Sequence, residues 1–218
     1  MTKVEIIKKL GKPKIDEMMD EEQYWSIIQN YIANSNEQRD PIDTLGVELE
    51  QLSLAEIIKF KVKTFHLLSE LFTDELWCAS AIINDTESEE DFIAFRVWII
   101  LKGKEVFSNA KKNPDSLKNL LEPELDIDQC FDLLFLPDDI FGVFTNYEDY
   151  CIRVANNKIE DYFEYNGNPI VFHPLIHNDY EFNWSIDDPD SMKKLCPILF
   201  DCYPKLKLLR ILRHNPTV

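Results

Sequence analysis

The sequence predicts a mainly α-helical, bundle-like single domain with a small β-hairpin element in its C-terminal part. Along several stretches, apolar residues recur at steps of three and four, which is the spacing of a buried helix face. Serine or acidic residues stand just before these stretches, at the positions that cap helices. The hairpin signal lies at Asn166-Gly167-Asn168, between two short β-prone runs. These observations together predict one helical core.

The N-terminal half is predicted to contain two amphipathic helices. Residues 20–33 begin with an acidic cap and carry apolar side chains at helical spacing. Ser53 and Glu56 have the spacing of a capping box, which starts a second helix predicted over residues 54–72. The polar stretch between these helices predicts a loop. The second helix carries three lysines that we expect on its solvated face: Lys59, Lys61 and Lys63.

The middle of the chain is predicted to form two helices joined by a polar turn, over about residues 74–84 and 89–102. Ser88 and Asp91 repeat the capping-box spacing, and acidic residues crowd the first turn, where the helix dipole favours negative charge. The second of these helices is apolar over most of its circumference, so we expect it at the centre of the core. Gly103 is predicted to end it. A short helix over 104–111 and a capped turn over 113–116 follow.

The C-terminal part is more acidic and aromatic. Because Pro137 interrupts a helical pattern, two helices are predicted, over about residues 127–136 and 138–154. The hairpin follows them, and a further helix is predicted after Pro189. The predicted segments are a basic N-terminal segment, a helical domain and a C-terminal extension packing on the same core: 1–19, 20–154 and 155–218.

The charge of the chain is strongly negative and unevenly distributed. The net charge is −17, and the 34 residues from 119 to 152 contain nine carboxylates and no lysine or arginine. Such a surface repels nucleic acid and anionic membranes and attracts a basic protein. The alternative is that acidity only keeps the protein in solution. The first reading predicts a basic protein as the partner, and neither nucleic acid nor a membrane.

Several classes of chemistry lack their motifs in this sequence. The five glycines are isolated, so no loop resembles a phosphate-binding loop, and no nucleophile motif occurs. His173 and His177 have the spacing of a zinc-binding helix, but no acidic residue completes that motif and Pro174 disfavours a helix there. Five cysteines without paired spacing are expected to be reduced and buried. We therefore predict no metal and no cofactor, and a cytoplasmic location because the N-terminus lacks a secretion signal.

One block of residues resembles a known family. It comprises Ser88-Glu89-Glu90, Phe92, Phe95-Arg96 and Trp98-Ile99-Ile100, with Trp77 before it and Gly103-Lys104 and Pro114-Asp115-Ser116-Leu117 after it. In these residues the chain resembles the bacterial domain-of-unknown-function family 4240 over about residues 20–154. The resemblance implies a mostly helical fold and no established activity.

The candidate polar site centres on Arg96, which stands between Phe95 and Trp98 in an apolar helix. A guanidinium in such surroundings needs partners, and a carboxylate can bind it through two hydrogen bonds. One interpretation is a buried ion pair that holds the turn against the helix. The other is an anion or substrate site whose walls are Trp77 and Trp98. The residues of this candidate site are Glu89, Glu90, Arg96 and Asp115.

Two functions of different classes are compatible with the sequence. The first is an acidic cytoplasmic protein that binds a basic protein, for example an immunity protein that masks the active site of a basic toxin. The second is an enzyme of unassigned chemistry built around Trp77, Glu89, Glu90, Arg96 and Trp98. Aromatic rings among carboxylates suit an interface, and these residues are the candidate partner-binding set: Asp138, Asp139, Phe141, Tyr147, Glu148, Asp149 and Tyr150.

Overall fold

The computed structural model describes residues 14–15, 18–34, 41–120, 130, 134–137, 139–140, 164–165, 168–169 and 181–202. This part of the chain is mainly helical, as predicted. The helices are α1 (Glu21–Asn34), α2 (Pro41–Glu50), α3 (Leu54–Glu70), α4 (Asp74–Asn84), α5 (Glu89–Leu101), α6 (Lys104–Lys112), a 3-10 helix (Pro114–Asn119), α7 (Pro189–Leu195) and α8 (Pro197–Cys202). None of these helices is long and apolar enough to cross a membrane.

Helical residues also occur in the 134–140 segment, of which all residues but 138 are described. Strands are two residues long: β1 (Lys14–Ile15) pairs in parallel with β2 (Glu164–Tyr165), and β2 pairs antiparallel with β3 (Asn168–Pro169). Ordinary strands have three residues or more. Pairings this short do not establish a β element, so the C-terminal hairpin stays a prediction.

The chain divides into two compact units. The first contains residues 1–67 and 131–174, and the second contains residues 68–130 and 175–218. The predicted segments 1–19, 20–154 and 155–218 stay a prediction.

The first unit is built on α1 and its buried aromatic residues. Asp20 caps α1, because its Oδ1 accepts hydrogen bonds from two backbone amides of the first turn at 2.9 and 3.2 Å. Tyr24 is fully buried, stacks on Phe60 with ring centroids 4.8 Å apart, and shares a 3.0 Å hydrogen bond with the Thr64 hydroxyl. Burial raises the pKa of Tyr24 above its ordinary value. The predicted amphipathic face of α1 is thus confirmed.

The start of α3 is confirmed as a capping box. The Ser53 amide donates to Glu56 Oε2 at 2.9 Å, and the Glu56 amide donates to Ser53 Oγ at 3.3 Å. The Ser53 hydroxyl also donates to Glu56 Oε2, at 2.6 Å, and this hydrogen bond, followed by that of the Ser53 amide, lowers the pKa of Glu56. The prediction of a solvated lysine face on α3 is wrong, however. Lys61 and Lys63 are only 4% and 8% exposed, and the Lys61 ammonium lies 5.8 Å from the centroid of the Phe65 ring. The aliphatic stem of a lysine can pack along apolar surface, so a charged end does not guarantee an exposed side chain.

The second unit has α5 at its centre, as the sequence predicts. Every residue from Phe92 to Leu101 is buried. Ser88 caps the helix, because its hydroxyl accepts from the Asp91 amide at 3.4 Å. Gly103 follows the helix with φ 96°, a conformation that favours glycine. The C-terminal helices α7 and α8 both pack against α4. Four side chains from this part of the chain are buried: Trp184, Met192, Leu199 and Phe200.

Candidate functional site

Arg96 lies fully buried in the middle of α5. Its guanidinium carbon is 4.4 Å from the centroid of the Phe92 ring and 5.2 Å from that of the Phe72 ring. Both rings present π-electron density to the cation, and such contacts are strongest where water is excluded. The aromatic neighbours that the sequence suggested, Phe95 and Trp98, stack on each other with ring centroids 5.8 Å apart.

The polar partners of Arg96 include two backbone carbonyls. Nε donates to the Phe92 carbonyl oxygen at 3.3 Å, and Nη1 donates to the Leu68 carbonyl oxygen at 3.1 Å. Side chains of a helix lean towards its N-terminus, and therefore the guanidinium reaches the preceding turn rather than the following one. Leu68 lies near the end of α3, so Arg96 joins α5 to that end.

The buried position of Arg96 disfavours the positive charge of its guanidinium group. Burial lowers the pKa of Arg96 to about 10, although the nearby negative charge of Glu89 acts in the opposite direction. Glu89 precedes Arg96 by seven residues, which is about two helical turns, so both lie on the same face of α5. Glu89 is half-buried and Glu90 is exposed. The structure therefore places Glu89, and not Glu90, in the electrostatic environment of Arg96.

Trp77 and Trp98 are part of the core. Trp77 is 4% exposed and stacks on Phe92 with ring centroids 4.6 Å apart, while Phe182 meets its ring edge-on, also at 4.6 Å. Trp98 is 9% exposed, and the Lys102 ammonium lies 5.5 Å from its ring centroid. Side chains with this burial and these neighbours act as packing groups, whereas pocket walls need an open face.

Asp115 performs a different task from the one that its place in the candidate site suggested. Its Oδ1 accepts hydrogen bonds from the backbone amides of Ile198 at 3.1 Å and Leu199 at 2.7 Å. These are the second and third residues of α8, whose own capping position is taken by Cys196, a residue without a good acceptor. Asp115 therefore caps α8 from a distant part of the chain. The sequence holds one signal for this contact, because a helix that starts at Pro197 after Cys196 has no local polar cap and needs an acceptor from elsewhere in the chain.

Two cysteines lie near this cap. Cys196 Sγ is 3.3 Å from the Glu75 carbonyl oxygen, and Cys78 Sγ is 3.8 Å from the Met192 carbonyl oxygen. The pKa of Cys196 is raised, first by its hydrogen bond with the Cys78 thiol and then by burial. A raised pKa makes a thiol a poor nucleophile. Cys78, Cys130 and Cys196 are buried, as predicted, and Cys202 is exposed; none of these four, which the structure describes, forms a disulfide.

Of the candidate partner-binding residues, the structure describes Asp139, which is exposed. The remaining six lie outside the described residues: Asp138, Phe141, Tyr147, Glu148, Asp149 and Tyr150. His173 and His177 also lie outside them. Among the residues that the structure describes, no group of three or more histidine, cysteine, aspartate or glutamate side chains could hold a metal ion.

Comparison with known proteins supports the resemblance seen in the sequence. No curated protein and no solved structure matches the chain. One family model matches residues 19–141, so the match ends earlier than the predicted residue 154. It includes α1 to α6, the capped turn of α5 and Arg96. The chain therefore belongs to the family described as Protein of unknown function (DUF4240).

Proposed function

We propose that this protein binds a basic protein in the cytoplasm through acidic surface residues. A binding protein of this kind acts by covering the partner's surface, and an immunity protein that masks the active site of a basic toxin is the specific form that we favour. Opposite charge speeds the encounter of two such proteins and selects against partners of the same charge.

The observation that supports the proposal best is how the first unit distributes its charges. Lys61 and Lys63 of α3 are buried, and Lys59 is half-buried. Lys61 lies 5.8 Å from the centroid of the Phe65 ring, and Lys63 is 3.9 Å from Glu21. Acidic residues of this unit are instead exposed, namely Asp20, Glu21, Glu22, Asp43, Glu50 and Asp139. The described surface of the first unit is therefore more acidic than its composition alone indicates.

The enzyme remains the second candidate, and the geometry favours it less. A substrate must reach the groups that act on it. Trp77, Arg96 and Trp98 are 4%, 0% and 9% exposed, and Arg96 already donates to two carbonyls. A structural role in the core accounts for these three side chains.

The proposal is tested with the full-length chain as bait in an extract of its native host. A basic partner should bind at about 50 mM salt and be released at about 300 mM, because added ions screen the attraction. The purified partner is then titrated with the wild-type chain and with the variant D138K/D139K/E148K/D149K. The matched control reverses four exposed acidic residues of the second unit in the variant E87K/E105K/D187K/D190K.

Weaker binding by the first variant, with the control close to the wild type, supports the proposal. If no basic protein binds, or if both variants weaken binding equally, the proposal fails. For the immunity form, co-expression with the partner should relieve any growth inhibition that the partner causes. No relief would restrict the proposal to binding.

A further inference from the structure

Two buried cysteine side chains of the second unit, Cys78 and Cys196, lie side by side. Both are 0% exposed, and neither forms a disulfide. Cys78 belongs to α4, and Cys196 directly follows α7. The two residues are far apart in the chain, so the packing of α7 against α4 is what brings them together.

Each sulfur atom contacts the backbone next to the other cysteine. The Cys78 thiol donates to the Met192 carbonyl oxygen at 3.8 Å, and the Cys196 backbone amide donates to the same oxygen at 3.0 Å. The Cys196 thiol donates to the Glu75 carbonyl oxygen at 3.3 Å. Glu75 precedes Cys78 by three residues, and a helical carbonyl points towards the following turn, which contains Cys78.

These contacts place the two thiols against each other. Their mutual hydrogen bond, which is the largest cause of the raised pKa of Cys196, agrees with this placement. A disulfide requires the two sulfur atoms to approach to about 2.05 Å without a large movement of the backbone. Thiols that are already hydrogen-bonded need only a small shift of their side chains to reach this distance.

We propose that Cys78 and Cys196 form a reversible disulfide that stabilises the second unit under oxidising conditions, with hydrogen peroxide as the oxidant. This inference goes beyond the proposed function and does not depend on it. Disulfides of proteins in a reducing compartment are usually transient and respond to oxidants.

Hydrogen peroxide supplies the oxidising equivalents for this step. The sulfur of one cysteine attacks a peroxide oxygen, the O–O bond breaks, an S–OH group forms, and the thiol proton leaves with the other oxygen as water. The sulfur of the second cysteine then displaces the hydroxyl group, which takes the second thiol proton and leaves as water. The two sulfurs are oxidised to one disulfide, and the peroxide is reduced to two water molecules.

Burial determines which oxidant and which product fit this pair. Hydrogen peroxide is close to water in size, whereas larger thiol reagents need an exposed sulfur. The neighbouring thiol is the nucleophile nearest to the S–OH group, so a disulfide forms before further oxidation to sulfinic acid. The reaction is slow, because the pKa of Cys196 is raised and the thiolate is the reactive form.

The disulfide joins α4 to the end of α7. It closes a loop from residue 78 to residue 196, and a cross-link over a long loop stabilises a folded protein by restricting the unfolded chain. Because α8 begins directly after Cys196, the link also holds α8 near α4. Oxidation should therefore stabilise the second unit, and reduction should reverse the effect.

The test uses the reduced full-length protein and a small excess of hydrogen peroxide. Remaining thiols are blocked in urea, and mass spectrometry after proteolysis without reductant identifies the linked peptides. The variants are C78S and C196S. C130S is the matched control, because it makes the same replacement at another buried cysteine, and C202S tests the exposed one. The same treatment of the urea-unfolded chain, where any two of the five cysteines can meet, shows the pairing without the fold.

We expect one main linked pair, Cys78 with Cys196, in the folded wild type and in both control variants. Dithiothreitol should remove this link, and the unfolded chain should give a mixture of pairs. Oxidation should raise the urea midpoint of the wild type and leave that of C78S unchanged. If the serine hydroxyl destabilises C78S, the variant C78A, which buries no polar atom there, provides the same measurement.

The proposal is overturned if the folded protein keeps Cys78 and Cys196 as thiols, or if they reach sulfinic acid without a link. It is also overturned if the pair is no more abundant in the folded protein than in the unfolded chain. A linked pair with an unchanged urea midpoint contradicts the stabilising role. None of these results depends on the binding of a basic protein, so the proposed function is tested separately.

Discussion

Replacing Asp115 by alanine should destabilise the second unit without changing its fold. The Asp115 carboxylate is 6% exposed and accepts from the amides of Ile198 and Leu199, of which the Leu199 amide is buried. In the variant D115A the buried amide loses its acceptor, which costs about 1–3 kcal/mol. The second hydrogen bond of this cap, from the Ile198 amide, is lost as well, which costs about 1 kcal/mol more. We expect the free energy of unfolding to fall by about 2–4 kcal/mol in total.

The variant D115N provides an internal comparison. Its amide oxygen can still accept both hydrogen bonds, but without the negative charge, so we expect a loss of about 1 kcal/mol. D190N is the control, because Asp190 is an exposed aspartate of the same unit, and such substitutions usually change stability by less than about 0.5 kcal/mol.

Urea unfolding, followed by tryptophan fluorescence, measures all three variants. Hydrogen exchange of the Ile198 and Leu199 amides adds a local measurement, and both amides should exchange faster in D115A. If D115A unfolds like D190N and these two amides keep their protection, the assignment of Asp115 as the cap of α8 is refuted.

The remaining predictions concern Arg96, Glu56 and the cysteines. The free energy of unfolding of R96M should lie within about 1 kcal/mol of the wild-type value, because removing a costly buried charge offsets the lost contacts. R96A should lose about 3 kcal/mol, because the shorter side chain leaves a cavity. Urea unfolding measures both variants, and equal losses would contradict this account. Because the pKa of Glu56 is lowered in the folded protein, its carboxylate stabilises the fold above the ordinary pKa of 4.5, and this contribution is lost as the pH falls through the folded pKa. The free energies of unfolding of E56Q and the wild type should therefore differ more at pH 7 than at about pH 3. Mass spectrometry after brief treatment with a thiol reagent should find Cys202 modified and Cys78 and Cys196 protected; rapid modification of Cys196 would contradict its burial.

The predicted helix starts were confirmed where capping is local. Asp20, Ser53 and Ser88 each accept from an amide two or three residues later, so the cap and the helix are adjacent in sequence. The helix α2 was missed, because Pro41 and Gly46 interrupt a short pattern and indicate a loop. Leu136 packs beside Gly46, and such a contact between distant residues cannot be found from local spacing.

Some of the surroundings of Arg96 could be predicted from the sequence and others could not. The burial of Arg96 and its electrostatic interaction with Glu89 follow from helical spacing along one element. The capping of α8 by Asp115 does not, because it joins residues 83 and 84 positions apart. The aromatic partners of Arg96 also differ from the expected Phe95 and Trp98. Its side chain leans towards the start of α5 and contacts Phe92, and it contacts Phe72, which lies two residues after the end of α3.

Residue spacing and composition were enough to establish the helical class, the main helix boundaries, the acidity and the family. Those properties depend on residue spacing within one element or on composition. Which charged side chains are exposed became clear only from the packing of the helices. Lys61 and Lys63 look solvated in sequence but lie buried, whereas the hydrophobic side chains of Val47 and Phe135 are exposed. Burial depends on which elements pack together, and this is determined by contacts between residues far apart in the chain.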